Sequence, residues 1–285
     1  TAVQNIPLSD TVAIRGAADF ARRDGFQTSG ANSLKDFTGR LSLLARPSDA
    51  VSIYLWGSYA TKDGHPINVV ALSFNPATGM VENGAFLRPE NPWNDTRTGA
   101  LAPLAPFGPI SALDQTYDNY TFGAQLDVEI GNATLTSISS YQHINSLQNF
   151  WLTAIPASLS QRYEQFTQEI RVSGEAGAIR YLAGVYGSKL KNNGAFALFG
   201  GGFFISNITA HKLGNASVFG EIVYSASDRF RLTAGGRLSY FKRDGAGLSG
   251  FGAPYSSSED YKHADFKLGL DYDLSDDVLV YAGFQ

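Results

Sequence analysis

Hydrophobicity in this 285-residue chain repeats with a period of two, and that alternation confines the fold to sheets. Val12, Ile14, Gly16, Ala18 and Phe20 alternate with Ala13, Arg15, Ala17, Asp19 and Ala21, so one face is apolar and the other carries the charge. Phe122, Leu126 and Ile130 likewise oppose Asp127 and Glu129. Leu232, Leu238 and Tyr240 oppose Arg231 and Arg237, and Phe266, Leu268 and Leu270 oppose Lys267 and Asp271. Helical spacing would scatter these charges around an axis. The alternation is imperfect around 135–143 and 180–190.

No apolar run reaches the roughly 18 residues of a membrane-spanning helix. A tilted strand crosses with only about 9 to 11 residues, so insertion by strands stays open. Composition favours it: 17% of residues are charged, with 14 Tyr, 19 Phe and 30 Gly, against roughly a quarter charged in ordinary soluble domains. Such a chain suits sheets that meet lipid on one side and water on the other.

A Ser-Asp turn followed by a strand recurs at Ser9-Asp10, Ser48-Asp49, Ser227-Asp228 and Ser275-Asp276, with Pro7 and Pro47 just ahead of two of them. Ser and Asp bond their own backbone two residues on, which favours tight hairpins. Longer connections are expected at 25–34, 62–116, 147–162, 191–210 and 243–260. Short turns at one end and long loops at the other match a transmembrane barrel with periplasmic turns and extracellular loops. This reading gives an all-β, antiparallel, partial barrel of about 11 to 12 strands, each roughly ten residues long. Trp56 and Tyr59, Tyr117 and Tyr120, Tyr240 and Phe241, and Tyr281 lie near strand ends and are expected to form aromatic girdles.

Several functions are disfavoured. A net charge of -4 without clustered Lys and Arg gives no reason to expect nucleic acid. The lack of cysteine removes thiolate catalysis, disulfides and cysteine-bound metals. The start, Thr1-Ala2-Val3-Gln4-Asn5, has no basic and apolar leader pattern, so a signal peptide is expected to have been removed or the chain to begin mid-protein.

Gln168-Glu169-Ile170-Arg171-Val172-Ser173, Thr136-Ser137-Ile138-Ser139-Ser140-Tyr141, Thr233-Ala234-Gly235-Gly236-Arg237-Leu238-Ser239-Tyr240 and Val278-Leu279-Val280-Tyr281-Ala282-Gly283-Phe284 resemble, in order and spacing, segments of the TonB-dependent outer-membrane receptors. The likeness extends over nearly the whole chain. It implies the outer membrane of a Gram-negative bacterium, and import of a scarce ligand such as a siderophore, vitamin or oligosaccharide. Such receptors hold a plug domain inside a barrel of twenty-two strands and draw on an inner-membrane TonB energising complex. Residues 1–285 are expected to be a segment of one barrel domain, about the middle half, with the plug, through which the TonB complex would be engaged, missing. The expected partners are outer-membrane lipid, that complex and a small molecule of unknown identity; no cofactor is expected.

The inward charges Arg15, Asp19, Arg40, Asp127, Glu129, Glu169, Arg171, Arg231, Arg237, Lys267 and Asp271 are expected to line a water-filled or plug-filled lumen. Trp93, Trp151, Phe199 and Phe203 are the candidate ligand contacts in extracellular loops, since exposed aromatics often mark binding surfaces. Gly200-Gly201-Gly202 does not lead a strand into a helix, so it is no phosphate cradle. His65, His143, His211 and His263 lie tens of residues apart, and only His263, near Glu259 and Asp260, hints at a metal site. No nucleophile and base pair or carboxylate dyad is spaced for catalysis, so the chain is not expected to be an enzyme. The alternatives are a passive porin-like channel and a soluble β-sandwich binding module.

Overall fold

The computed structural model describes residues 1–28, 30–66, 73–75, 80–82, 114–152, 155–200 and 203–285; side chains are described for these except at 73–75, 80–82, 151–152, 155–156, 199–200 and 203–205. The described residues hold no helix long and apolar enough to cross a membrane, which leaves crossing by strands untouched. The strands are β1 (Ala2–Pro7), β2 (Val12–Arg23), β3 (Leu34–Ser48), β4 (Val51–Gly64), β5 (Ser73–Asn75), β6 (Met80–Glu82), β7 (Asp114–Ile130), β8 (Ala133–Leu152), β9 (Ile155–Ala176), β10 (Ile179–Gly200), β11 (Phe203–Ser227), β12 (Phe230–Leu248), β13 (Pro254–Ser275) and β14 (Val278–Phe284). Twelve of them form one antiparallel sheet in chain order, while β5 and β6 pair as a separate hairpin inside the β4–β7 connection. The sheet is open: β1 pairs only with β2, and β14 only with β13.

The tight turns gather at one end. At two Ser-Asp turns the serine acts as expected: Thr11 N–H donates to Ser9 Oγ (3.2 Å) and Arg229 N–H to Ser227 Oγ (3.3 Å). Gly131 (φ 60°) and Gly177 (φ 61°) are the first central residues of two-residue hairpins, which suits the II′ turn and its positive φ there. Register shifts fall between Ala45 and Ser48, Ser225 and Ser227, and Asp273 and Ser275, beside three of the Ser-Asp turns. Pro47 lies inside the first of these shifts, where a residue without an N–H is tolerated.

The other end departs from the expected loops. Residues 147–162, 191–210 and 243–260 are largely strand: the β8–β9 ladder runs to Leu152 and Ile155, the β10–β11 ladder to Gly200 and Phe203, and the β12–β13 ladder to Leu248 and Pro254. β9 and β10 have 22 residues each, not about ten. At about 3.3 Å per residue such a strand is about 70 Å long. Tilted about 45°, it rises about 50 Å, against an apolar band of about 25 Å. Beyond the band both faces meet water, so the ladder continues without an apolar alternation to announce it.

Directly paired residues share a face of a sheet, so register traces each face across the molecule. One rung runs Arg15, Ser42, Trp56, Gly123, Ser140, Thr167, Ser188, Asn215, Phe241 and Tyr261. A rung of the opposite face runs Ala45, Ile53, Leu126, Ser137, Ile170, Val185, Val218, Leu238 and Ala264. The second face is apolar and uncovered: Leu41 is 61% exposed, Phe122 56%, Val218 52% and Leu238 61%. Among the described residues only Ala31 and Ala157 are buried apolar side chains, and neither of them builds a layer against the apolar face of the sheet.

Two expectations change here. The expected girdle splits, because Trp56 and Tyr59, or Tyr240 and Phe241, are an odd number of residues apart and must face opposite ways. Tyr59, Tyr120 and Tyr240 lie on the apolar face, whereas Trp56, Tyr117, Phe241 and Tyr281 lie on the charged one. The poorly alternating segments 135–143 and 180–190 are regular strand; Ser137, Ser139 and Gln168 sit on the apolar face and bond one another, while Ile138 and Leu182 turn to the charged side.

Candidate functional site

All eleven charges expected inside, among them Arg15, Arg40, Asp127, Glu129, Arg171 and Arg237, fall on the face that register traces through Ser42 and Trp56. They do not form one cluster but a wall of short links. Arg171 Nη1 donates to Glu169 (3.0 Å), two residues away on β9. Asp127 accepts from Thr136 Oγ1 (2.7 Å) and Gln125 Nε2 (2.8 Å), and Glu129 accepts from Thr134 Oγ1 (3.0 Å). Lys267 reaches Glu221 (3.0 Å), and Arg231 binds Asp273 through two nitrogens (2.6 and 3.0 Å). Both signs alternate along the wall, so it presents polar groups without a single-sign field.

Two arginines are held by the same local device. Gly39-Arg40-Leu41-Ser42 on β3 and Gly236-Arg237-Leu238-Ser239 on β12 repeat one tetrad, and its period places Arg and Ser together on the charged face. Arg237 donates to Ser239 Oγ (3.2 Å) and to Ser217 Oγ (3.1 Å), and the two serines bond each other at 3.0 Å. Its guanidinium also lies over the rings of Tyr186 (5.6 Å) and Phe219 (5.8 Å). Arg40 reaches Ser42 Oγ (3.5 Å) and Tyr54 Oη (3.4 Å). Tyr54 then stacks on Trp56 at 5.3 Å, and the indole lies over Gly123, where a Cβ would come 2.0 Å from the ring. Ser42, Tyr54, Trp56, Ser217 and Ser239 are missed by a search for charge, although the repeated tetrad was there to be read.

At the end away from the turns, the β2–β3 connection folds into a compact mouth. Phe26 N–H donates to Ala31 O (3.1 Å), and Arg23 holds Asn32 through its backbone and side-chain oxygens (3.1 and 2.9 Å). Asn32, at φ 63°, donates its N–H to Pro66 O, and His65 N–H donates to Ser33 Oγ (2.9 Å). Phe150, from the charged side of β8, packs on buried Ala31. Two polar atoms on the same face are buried without a hydrogen-bond partner, Asp36 Oδ1 and His211 Nδ1.

Of the candidate ligand contacts, Trp93 lies outside the described residues. Trp151, Phe199 and Phe203 have strand backbone, opposite Pro156, Phe204 and Gly200, and their side chains lie outside the description. Glycines 201 and 202, and the proline-rich stretch 103–109, also lie outside it. His263 pairs with Asp265 (2.9 Å) rather than with Glu259 or Asp260, and no group of three His, Cys, Asp or Glu among the described residues could hold a metal ion.

Comparison with known proteins adds family and fold. None of the curated proteins matches. Among solved structures, the ferric yersiniabactin uptake receptor FyuA from Yersinia pestis is similar at TM-score 0.73 and 16% identity, over 99% of this chain and 43% of that one. The siderophore receptor PiuA from Acinetobacter baumannii is similar at TM-score 0.70 and 12% identity, over 99% and 46%. The ferric citrate transporter FecA, unliganded, is similar at TM-score 0.66 and 10% identity, over 99% and 40%. At these identities the likeness is one of fold, and the chain spans less than half of each of these proteins. The family model for the TonB dependent receptor-like beta-barrel matches residues 68–285. With that match over most of the chain, and a sheet segregated into one charged and one apolar face, the chain belongs to the TonB-dependent receptor β-barrel family of Gram-negative outer-membrane transport receptors.

Proposed function

We propose that this sheet is a section of the wall of one larger barrel, with the charged face lining a plug- or water-filled interior and the apolar face in lipid. The segregation of the faces carries the reading: eleven charges fall on one side, and the large uncovered apolar side chains fall mostly on the other. In lipid, a closed barrel satisfies every strand edge, whereas unpaired edges cost several kcal/mol per backbone group. The one-sided pairing of β1 and β14 therefore favours a wall completed by further strands over a closed channel of twelve.

The cargo we propose is a ferric chelate, taken up by energy coupling through TonB, with Trp93, Trp151, Phe199 and Phe203 contacting it at the mouth. The support is that two of the similar structures are a ferric yersiniabactin uptake receptor and a ferric citrate transporter. The test is uptake of a panel of chelates loaded with radioactive iron, using the full-length receptor in cells with and without TonB. Uptake of one chelate that stops without TonB is the expected result. Uptake that persists without TonB points to the passive channel, and uptake of none overturns the choice of cargo.

A further inference from the structure

Lys189 and Lys191 on β10, Lys212 on β11, Lys242 on β12 and Lys262 on β13 lie far apart in sequence, yet register brings them together on the apolar face of β10–β13. Lys191 is directly opposite Lys212, Lys189 and Lys242 both flank Gly214, and Lys262 is opposite Tyr240. All five are exposed. They adjoin aromatic residues of that face: Lys242 stands two positions beyond Tyr240, and Lys189 is opposite Phe166. That level, just past the aromatic residues, is where the headgroups of a membrane begin.

The local acids do not neutralise this sector. Glu164, opposite Lys191, is engaged by Arg162 at 2.8 Å; Asp244, opposite Lys212, lies 3.8 Å from Lys242. Asp260, opposite Lys242, forms no ion pair among the described residues, and neither do Lys189, Lys191, Lys212 or Lys262. Like charges directly opposed across a ladder destabilise it, so the Lys191–Lys212 pair works against the sheet. The same face of β4 and β7 carries Asp63 and Asp118 at this end, so the basic sector of β10–β13 is separated by acidic strands from the opposed Arg22 and Lys35 on β2 and β3.

We infer that this sector holds the phosphate groups of outer-leaflet lipid headgroups. Each lysine brings three donors on a flexible stem and suits a phosphate as a point charge. The opposed pair and its neighbours are relieved when anions sit between them. This inference rests on the reading that the apolar face meets lipid.

The test uses the full-length receptor in phosphatidylcholine nanodiscs containing lipid A, either bis-phosphorylated or dephosphorylated, with retained lipid counted by mass spectrometry. The wild type is expected to retain the phosphorylated form about tenfold better, the equivalent of about 1.4 kcal/mol. The triple substitution Lys189→Gln, Lys191→Gln and Lys212→Gln should remove most of that preference. Equal retention of the two lipids by the wild type, an unchanged preference in the variant, or displacement of the lipid by millimolar inorganic phosphate would each overturn the inference. A nitroxide attached at position 238, on the apolar face of β12 and away from the lysines, should be equally oxygen-accessible in both proteins and reports lipid contact separately, so a failed lysine assignment is distinguishable from a failed lipid reading.

Discussion

Gly123 shows how a single missing Cβ sets the packing of the charged face. A methyl group there would come 2.0 Å from Trp56 Cζ2, so Gly123→Ala forces the indole off its stack with Tyr54. The expected loss is about 1–3 kcal/mol, read as a lower unfolding temperature of the full-length receptor in detergent. Because the clash is with a side chain, adding Trp56→Ala should make the alanine at 123 nearly neutral; an undiminished effect of Gly123→Ala in that background would contradict the packing described. Gly25 differs, since its Cβ would meet the Gly30 carbonyl oxygen at 2.1 Å and no rotamer relieves a backbone clash. At this scale the sequence was only partly legible. Charge and period placed Arg40 and Arg237 on the right face, but not their serine and aromatic partners, because neutral side chains leave no mark in an alternation of charged and apolar residues.

The turns were the most legible elements. Ser9 and Ser227 cap them through the hydrogen bonds their side-chain chemistry implies, and Gly131 and Gly177 take the positive φ of II′ hairpins. No atom lies within 4 Å of a Cβ built at Gly131, so substitution there tests backbone conformation alone. Gly131→Ala is expected to cost about 1–2 kcal/mol and Gly131→Asn clearly less, since Asn tolerates φ > 0. Equal effects on the unfolding temperature would mean the turn is not the one described. The outer halves of β8 to β13 were illegible for a physical reason. Segments such as Asn192-Asn193-Gly194, past the lysines, meet water on both sides, and a strand without an apolar side reads as a loop.

Across the whole molecule, one open sheet leaves its apolar face bare, with Leu41, Phe122 and Leu238 each more than half exposed. Soluble monomers rarely expose contiguous apolar patches beyond a few hundred Å², so a soluble sandwich would need a second layer that the described residues do not supply. The central claim is that one face of this sheet meets water and the other lipid. These 285 residues contain no cysteine, so each introduced thiol is the sole labelling site within this section of the wall. The most direct measurement introduces single cysteines along β12 from Arg231 to Tyr240 in the full-length receptor, attaches a nitroxide label in a bilayer, and compares collision with oxygen, enriched in lipid, and with a water-soluble nickel chelate. A strict period of two is predicted, with positions 232, 234, 236, 238 and 240 oxygen-accessible and 231, 233, 235, 237 and 239 not. Equal accessibility at neighbouring positions, or the opposite phase, would contradict the account.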